Sequence, residues 1–382
     1  MGTKHNLRIF AAVAAAGLAL TACGSTSSSS STAGASSNCT SGQNLAFLGA
    51  TTGPNGALGQ NMVGGIKLAL DAYNKANPDC TVGLKTFDSQ GDPDQATTLA
   101  TKIVGDSSIV GLVGPGFSGE SLSTGKTFSA AGLPSISPSA TNVTITQQGW
   151  PTWHRVIGND SAQGAAVATY LKDTAKAKKV FVVADDSDYG KGLASYVNDG
   201  LGSLVVGSDN VATGQTDFSA TVTKVKSSGA DAIFYGGYYA EAGLLAKQLR
   251  QGGFKGLFMS GDGSEDAQFV KIAGADAANG AILTAPAGPA PASFDSKYQA
   301  LIGSPSGLYS TQSYDATNIF LAGIDAGKSS HADMNTFVGA YTGNGVSGPI
   351  AFDDHGDIKQ TAIFAYKVAN GKLDTANPTP IK

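Results

Sequence analysis

From residue 45 onward the chain repeats one pattern. A short apolar run, rich in β-branched residues, is followed by apolar positions at helical spacing. Leu45–Gly49 reads as a strand. Met62, Ile66, Leu70 and Tyr73 then fall at i, i+4, i+8 and i+11, one stripe of a helix. Val82–Phe87 is the second strand. Asp92 suits an N-cap, Pro93 the first helical position and Gln95 the far side of a capping box, with Ala96, Leu99 and Ile103 as the apolar face. Ile109–Val113, a helix over Gly119–Ala131 and Leu133–Ser137 continue the alternation. The pattern restarts near Asp160, with strands at Val180–Val183, Leu204–Gly207, Ala232–Tyr235 and Leu257–Met259 separated by helical segments. Such alternation predicts an α/β protein: parallel sheets with helices on both faces, in two successive units.

After a Pro/Ala-rich passage, Ala285–Ala292, the pattern changes. Helical segments near Phe294–Leu301, Tyr314–Ala326 and Met334–Tyr341 carry no strands of their own, and short strands close the chain at Pro349–Phe352 and Ile363–Lys367. Late helices without a sheet imply that the chain returns to pack on its first lobe.

The first residues follow other rules. Lys4 and Arg8 precede an apolar run, Ile9–Leu20, and then Leu20-Thr21-Ala22-Cys23. The run is shorter than the roughly 20 residues that span a bilayer, and small residues precede the cut site, so it reads as an export signal rather than an uncleaved membrane helix. The ending resembles the lipobox of bacterial lipoproteins. That resemblance implies a signal peptide over 1–22, a lipid on Cys23 and a Ser-rich tether over 23–42. Loss of Lys4 and Arg8 with the leader takes the net charge from −4 to −6, which argues against a nucleic-acid partner. An exported chain also meets no supply of nucleotide cofactors, and none is expected. Cys39 and Cys80 each precede a strand-like run. Parallel neighbouring strands would bring both thiols to one sheet edge, where an oxidising setting permits a Cys39–Cys80 bridge; two buried free thiols are the alternative.

Residues 114–121, Gly-Pro-Gly-Phe-Ser-Gly-Glu-Ser, stand between a strand and a helix. Free N–H groups at such a helix start, with the Ser118 hydroxyl, suit an anion such as a carboxylate. The stretch also fits the dinucleotide Gly-x-Gly-x-x-Gly, which is weak alone, and a plain turn remains the alternative. The loop Ser137–Asn142 reaches the same sheet edge, where Thr141 can donate and the Ala140 carbonyl can accept. Enzyme signals are thin. Glu120 stands where a nucleophile elbow at Ser118 needs Gly, and His154, His331 and His355 lack metal-ligand spacing. Asp185-Asp186-Ser187-Asp188 reads as a turn and helix cap, not a calcium loop. No catalytic activity and no metal are expected.

Ser137–Asn142, Asp188–Leu193, Asp217–Ser219 and Tyr235–Tyr239 resemble, in order, segments of the leucine/isoleucine/valine-binding proteins of ABC importers, and the resemblance covers nearly all of residues 43–370. It implies two doubly wound parallel-sheet lobes, the type I periplasmic-binding-protein fold. The first lobe would be 43–158 plus 287–348 and the second 159–286 plus 349–382. Three crossings would join them near Val156–Asp160, Thr284–Gly288 and Val346–Phe352. A ligand would lie between the lobes and be trapped as they close.

The resemblance also assigns residues. Ser118 and Thr141 match the binders of the ligand carboxylate, and Ala140 the carbonyl that meets the ammonium. Tyr189 and Tyr238 match tyrosines that close over the ligand, and Asp262 the acid that pairs the ammonium. Leu58 and Phe117 match apolar walls. Close members carry Glu where this chain has Asp262, one methylene shorter, so a water or a tighter closure would be needed. Gly116 replaces a larger residue, and Thr311 and Gln312 replace more apolar ones, which loosens strict branched-chain specificity. The implied function is extracytoplasmic capture of a branched-chain or other aliphatic amino acid by a monomeric lipoprotein that serves ABC permease subunits in the membrane. An amide, urea or aromatic acid is a rival ligand, set aside because it would strand a buried Asp262; a sensory role is a rival to transport.

Overall fold

Val180–Asp185 and Ala232–Gly236 are buried at every position, as parallel strands covered by helices on both faces must be. The computed structural model describes residues 42–381. The signal peptide, Cys23, all but the last residue of the tether, and Cys39 lie outside the described residues.

The first sheet is built from β1 (Asn44–Gly49), β2 (Gly83–Asp88), β3 (Ile109–Val113), β4 (Ser135–Ser137) and β5 (Trp153–Arg155). The second is built from β6 (Val180–Asp185), β7 (Val205–Val211), β8 (Ala232–Gly236), β9 (Leu257–Ser260) and β10 (Ile282–Ala285). Their orders, β2-β1-β3-β4-β5 and β7-β6-β8-β9-β10, are the same plan used twice, parallel throughout. In both sheets the order reverses beside the first strand, and such switch points are where open α/β sheets bind ligands.

In the first lobe α1 (Gly56–Ala76), α2 (Pro93–Val104) and α3 (Ser118–Ala130) connect the strands. Met62, Ile66 and Leu70 are buried along α1. Asp92 caps α2, accepting from the N–H groups of Asp94 and Gln95. Gln95 does not close a capping box; its amide donates to the Asp92 carboxylate instead. In the second lobe the helices are α4 (Asp160–Thr169), α5 (Asp188–Leu201), α6 (Ser219–Ser228), α7 (Tyr239–Gln251), α8 (Ala267–Ala273) and α9 (Ala275–Ala278). Ser187 caps α5 and Asp185 accepts from Ser187, so this acidic run is a turn and cap.

The chain does return. α10 (Ala292–Ile302), α11 (Ser310–Asp325) and α12 (His331–Gly339) follow β10. The Tyr298 and Ser310 hydroxyls donate to the Asn61 carbonyl of α1, and Tyr73 donates to Asp325. Gly111 of β3 permits this docking, since a Cβ there would stand 2.5 Å from the Phe320 ring. The remaining strands are β11 (Thr342–Asn344), β12 (Pro349–Ala351), β13 (Ile363–Ala369), β14 (Lys372–Leu373) and β15 (Thr379–Ile381), with β13 antiparallel to β10.

The third crossing needs correction. Residues 346–352 do not carry the chain across, because β11 and β12 pair there as a hairpin. The next turn stays against β5: Arg155 N donates to the Gly356 carbonyl at 2.9 Å, and the Arg155 guanidinium pairs with Asp357. The second sheet is joined only at Ile363. A buried arginine needs its counter-ion, and that holds residues 353–357 to the first lobe. The three passages touch at one place. A Cβ on Gly158 would stand 2.2 Å from Thr361 Oγ1 and 3.0 Å from the Pro286 Cβ.

Candidate functional site

The loops after the first, third and fourth strands of each sheet supply the site. Leu58, Phe117 and Ser118 from the first lobe and Tyr189, Tyr238 and Asp262 from the second line one narrow cavity. Gly116, Ser139 and Tyr309 complete the lining.

α3 begins at Ser118 because Glu120, three residues past the N-cap Phe117, turns back and accepts from the Phe117 N–H at 3.1 Å. The other Glu120 oxygen accepts from Ser89. Ser118 is buried, and its hydroxyl accepts from Asn142 N at 3.2 Å. Ser139 donates to the Gly116 carbonyl at 2.6 Å, tying the two first-lobe loops together.

Asp262 faces this wall from the second lobe. Its Oδ1 accepts from the Tyr189 hydroxyl at 2.8 Å and its Oδ2 from the Tyr309 hydroxyl at 2.6 Å. The flanking glycines have a geometric reason: a Cβ on Gly261 would lie 2.5 Å from Tyr189 Oη, and one on Gly263 2.7 Å from Tyr189 Cε1. Burial pushes the Asp262 carboxyl above its ordinary value, and the Tyr309 and Tyr189 hydroxyls offset only part of that rise. Tyr189 is held well above the usual phenol range by burial and by the Asp262 charge, so it acts as a neutral donor. The Tyr238 ring stands between Phe117, at 5.4 Å, and Tyr189, at 5.1 Å, an aromatic contact that crosses the cleft.

Two assigned residues, Ala140 and Thr141, are buried next to Ser139 but do not line the cavity. The Ala140 carbonyl accepts from Arg155 Nη1 at 3.1 Å, which uses one of its two lone pairs. The Thr141 hydroxyl stands beside the buried Asp160 carboxyl and opposes the upward push of burial on it; among the described residues neither group meets a closer hydrogen-bond partner. Thr311 and Gln312 are buried and bond to each other, outside the cavity. The case against a ligand without ammonium also changes. Asp262 has two protein donors, so such a ligand would not strand it.

Sequence reasoning missed Tyr309 and Arg155. Arg155 is fully buried under Trp153 and donates to Ala140, Asn142, Thr146 and Asp357. A lone arginine just before Val156 and Ile157 was its one signal. Cys80 is buried. No group of three or more His, Cys, Asp or Glu among the described residues could hold a metal ion. No described helix is long and apolar enough to cross a membrane.

Burial raises three acids: Asp160 to about 8, Glu120 to about 7 and Asp185 to about 7. Folding therefore strengthens their hold on a proton. That contribution to stability is full below the unfolded carboxyl range, near 4, and is lost as pH rises through the folded values. Burial pushes His154 the other way, down to about 4, which matters only below about pH 6.5. The melting temperature should then fall from about pH 6.5 to about pH 8.5. A flat or rising melting temperature across that window would contradict the assignment.

Two sheets of one plan, feeding one buried cavity from opposite sides, define a two-lobed solute-binding protein. Residues 42–372 match the periplasmic binding protein family, and the chain belongs to it. It is 32% identical over 344 residues to Leu/Ile/Val-binding protein homolog 3 of Brucella melitensis, covering 86% of this chain and 92% of that one. It is 34% identical over 328 residues to the leucine-specific-binding protein of Salmonella typhimurium, covering 82% and 88%. Among solved structures it resembles the branched-chain amino acid transporter substrate-binding protein LivJ of Streptococcus pneumoniae, in complex with isoleucine. That likeness has a TM-score of 0.82 and 26% identity, over 88% of this chain and 99% of that one. A benzoate complex from R. palustris, at 19% identity and a TM-score of 0.79, over 89% of this chain and 97% of that one, shares the fold.

Proposed function

We propose that this chain captures an aliphatic amino acid between its lobes and delivers it to an ABC permease, with no bond made or broken. The observation that carries this reading is the pairing of opposite poles across one buried cavity. The start of α3 with Ser118 suits the carboxylate, and Asp262 on the facing wall suits the ammonium. The names of its relatives point the same way: they include leucine, isoleucine and valine binders, and one from Pseudomonas aeruginosa that also takes threonine and alanine. Leu58 and the rings of Phe117 and Tyr238 supply the apolar lining. Thr141 and Ala140 lie buried beside Ser139, which lines the cavity, and we assign them to the same ligand-facing loop. We extend the reading to an extracytoplasmic, monomeric protein anchored by lipid on Cys23, with Cys39 and Cys80 bridged; the intact mass of the exported chain tests both modifications.

A thermal-shift screen across the amino acids tests the ligand class. A ligand at 100 times its dissociation constant should stabilise the native state by roughly 2.7 kcal/mol. The largest shifts are expected for leucine, isoleucine and valine. No shift with any amino acid would sink this reading.

A further inference from the structure

We propose that Tyr309 is the positioning residue of Asp262 and, through it, sets how the site recognises an ammonium group. This rests on the amino-acid reading above. Tyr309 caps the start of α11 with its backbone in the left-handed region, φ 70°. An aromatic residue rarely adopts that conformation, so the surrounding contacts must hold it there. Ser313 N donates to the Tyr309 carbonyl at 2.9 Å, and Ser310 Oγ donates to the Asn61 carbonyl at 3.1 Å, fixing the turn on α1. The ring is 4% exposed.

From this seat the hydroxyl reaches across the cleft. Tyr189 serves one Asp262 oxygen from the same lobe, and Tyr309 serves the other from the opposite lobe. A carboxylate offers about four acceptor positions, and the two phenols approach different oxygens, which leaves the carboxylate able to accept from a ligand as well. The short Asp262 side chain and the long Tyr309 phenol are complementary. The Tyr309 hydroxyl stands only 2.6 Å from Asp262 Oδ2 and orients the shorter acid from the far wall, so a glutamate's extra methylene would push its carboxylate into that hydroxyl. Neither a water nor a tighter closure is then required to explain Asp at this position.

The test is a double-mutant cycle on the full chain: Tyr309→Phe, Asp262→Glu and both together. The probe is L-leucine, and the readouts are calorimetric affinity and unfolding in urea. Tyr309→Phe should weaken leucine binding by about 10- to 100-fold, the effect of one hydrogen bond to a charged group. Asp262→Glu alone should weaken it at least as much, because the longer acid meets the Tyr309 hydroxyl. The double variant should return to within about threefold of the unmodified chain, since removing the oxygen makes room for the methylene. A merely structural Tyr309 would give additive losses, which would overturn the proposal. So would a Tyr309→Phe chain that fails to fold and is not restored by Asp262→Glu. Should the unmodified chain be folded yet ignore leucine and every other amino acid, the functional reading falls. The cycle in urea then decides the pair by itself: coupled losses support it and additive losses overturn it.

Discussion

Asp262→Ala should weaken amino-acid binding by about 100-fold or more, whereas Tyr238→Phe should cost less than about fivefold. Truncating one member of a buried, hydrogen-bonded charge pair typically costs about 2–5 kcal/mol, and each 1.4 kcal/mol is tenfold in affinity. Asp262 is buried and faces the cavity, so an ammonium enclosed there would lose its countercharge together with the water it shed on entry. Tyr238→Phe keeps the ring that stands against Phe117 and Tyr189. Calorimetry on the two variants and the unmodified chain decides the matter. Equal affinities for Asp262→Ala and the unmodified chain would remove Asp262 from the site.

The second large effect falls on Arg155, whose hydrogen-bond partners lie outside the cavity lining. Arg155→Ala should destabilise the fold by about 3–5 kcal/mol, the usual cost of removing one partner of a buried ion pair. Its guanidinium satisfies the Ala140 and Asn142 carbonyls, the Thr146 hydroxyl and the Asp357 carboxylate together. Lysine offers no planar fork, so Arg155→Lys should recover little of the loss. The Asn142 N–H bonds Ser118, so loosening this loop should also lower ligand affinity. Urea unfolding measures the first effect. A loss below about 1 kcal/mol for Arg155→Ala would show that the buried cluster contributes no more than a surface pair.

Local rules carried the sequence reading where local physics decides the outcome. The Asp92 cap and the α1 stripe depend on neighbours within a turn or two, and both stand where the pattern puts them. Ser118 was legible because a strand, a glycine-rich turn and a helix start follow one another in sequence. Tyr309 was not, because its meaning depends on α11 returning to the first lobe and on Asp262 crossing toward it, 47 residues away in the chain. β5 is only three residues long and carries an arginine, so it offered no strand-like run. The third crossing was misplaced because an apolar run near Ile350 reads alike in a hairpin and in a sheet-joining strand. The choice was made by the remote ion pair of Arg155 and Asp357. The glycines on either side of Asp262 leave room for the Tyr189 ring, a contact between residues far apart in the chain that no local pattern announces.

The meeting of Gly158, Pro286 and Thr361 has a mechanical consequence. Three covalent links pass through so narrow a bundle that any relative swing of the lobes would turn about it. Any residue bulkier than Gly158 would be a wedge driven into the joint, altering the grip on a ligand it never meets.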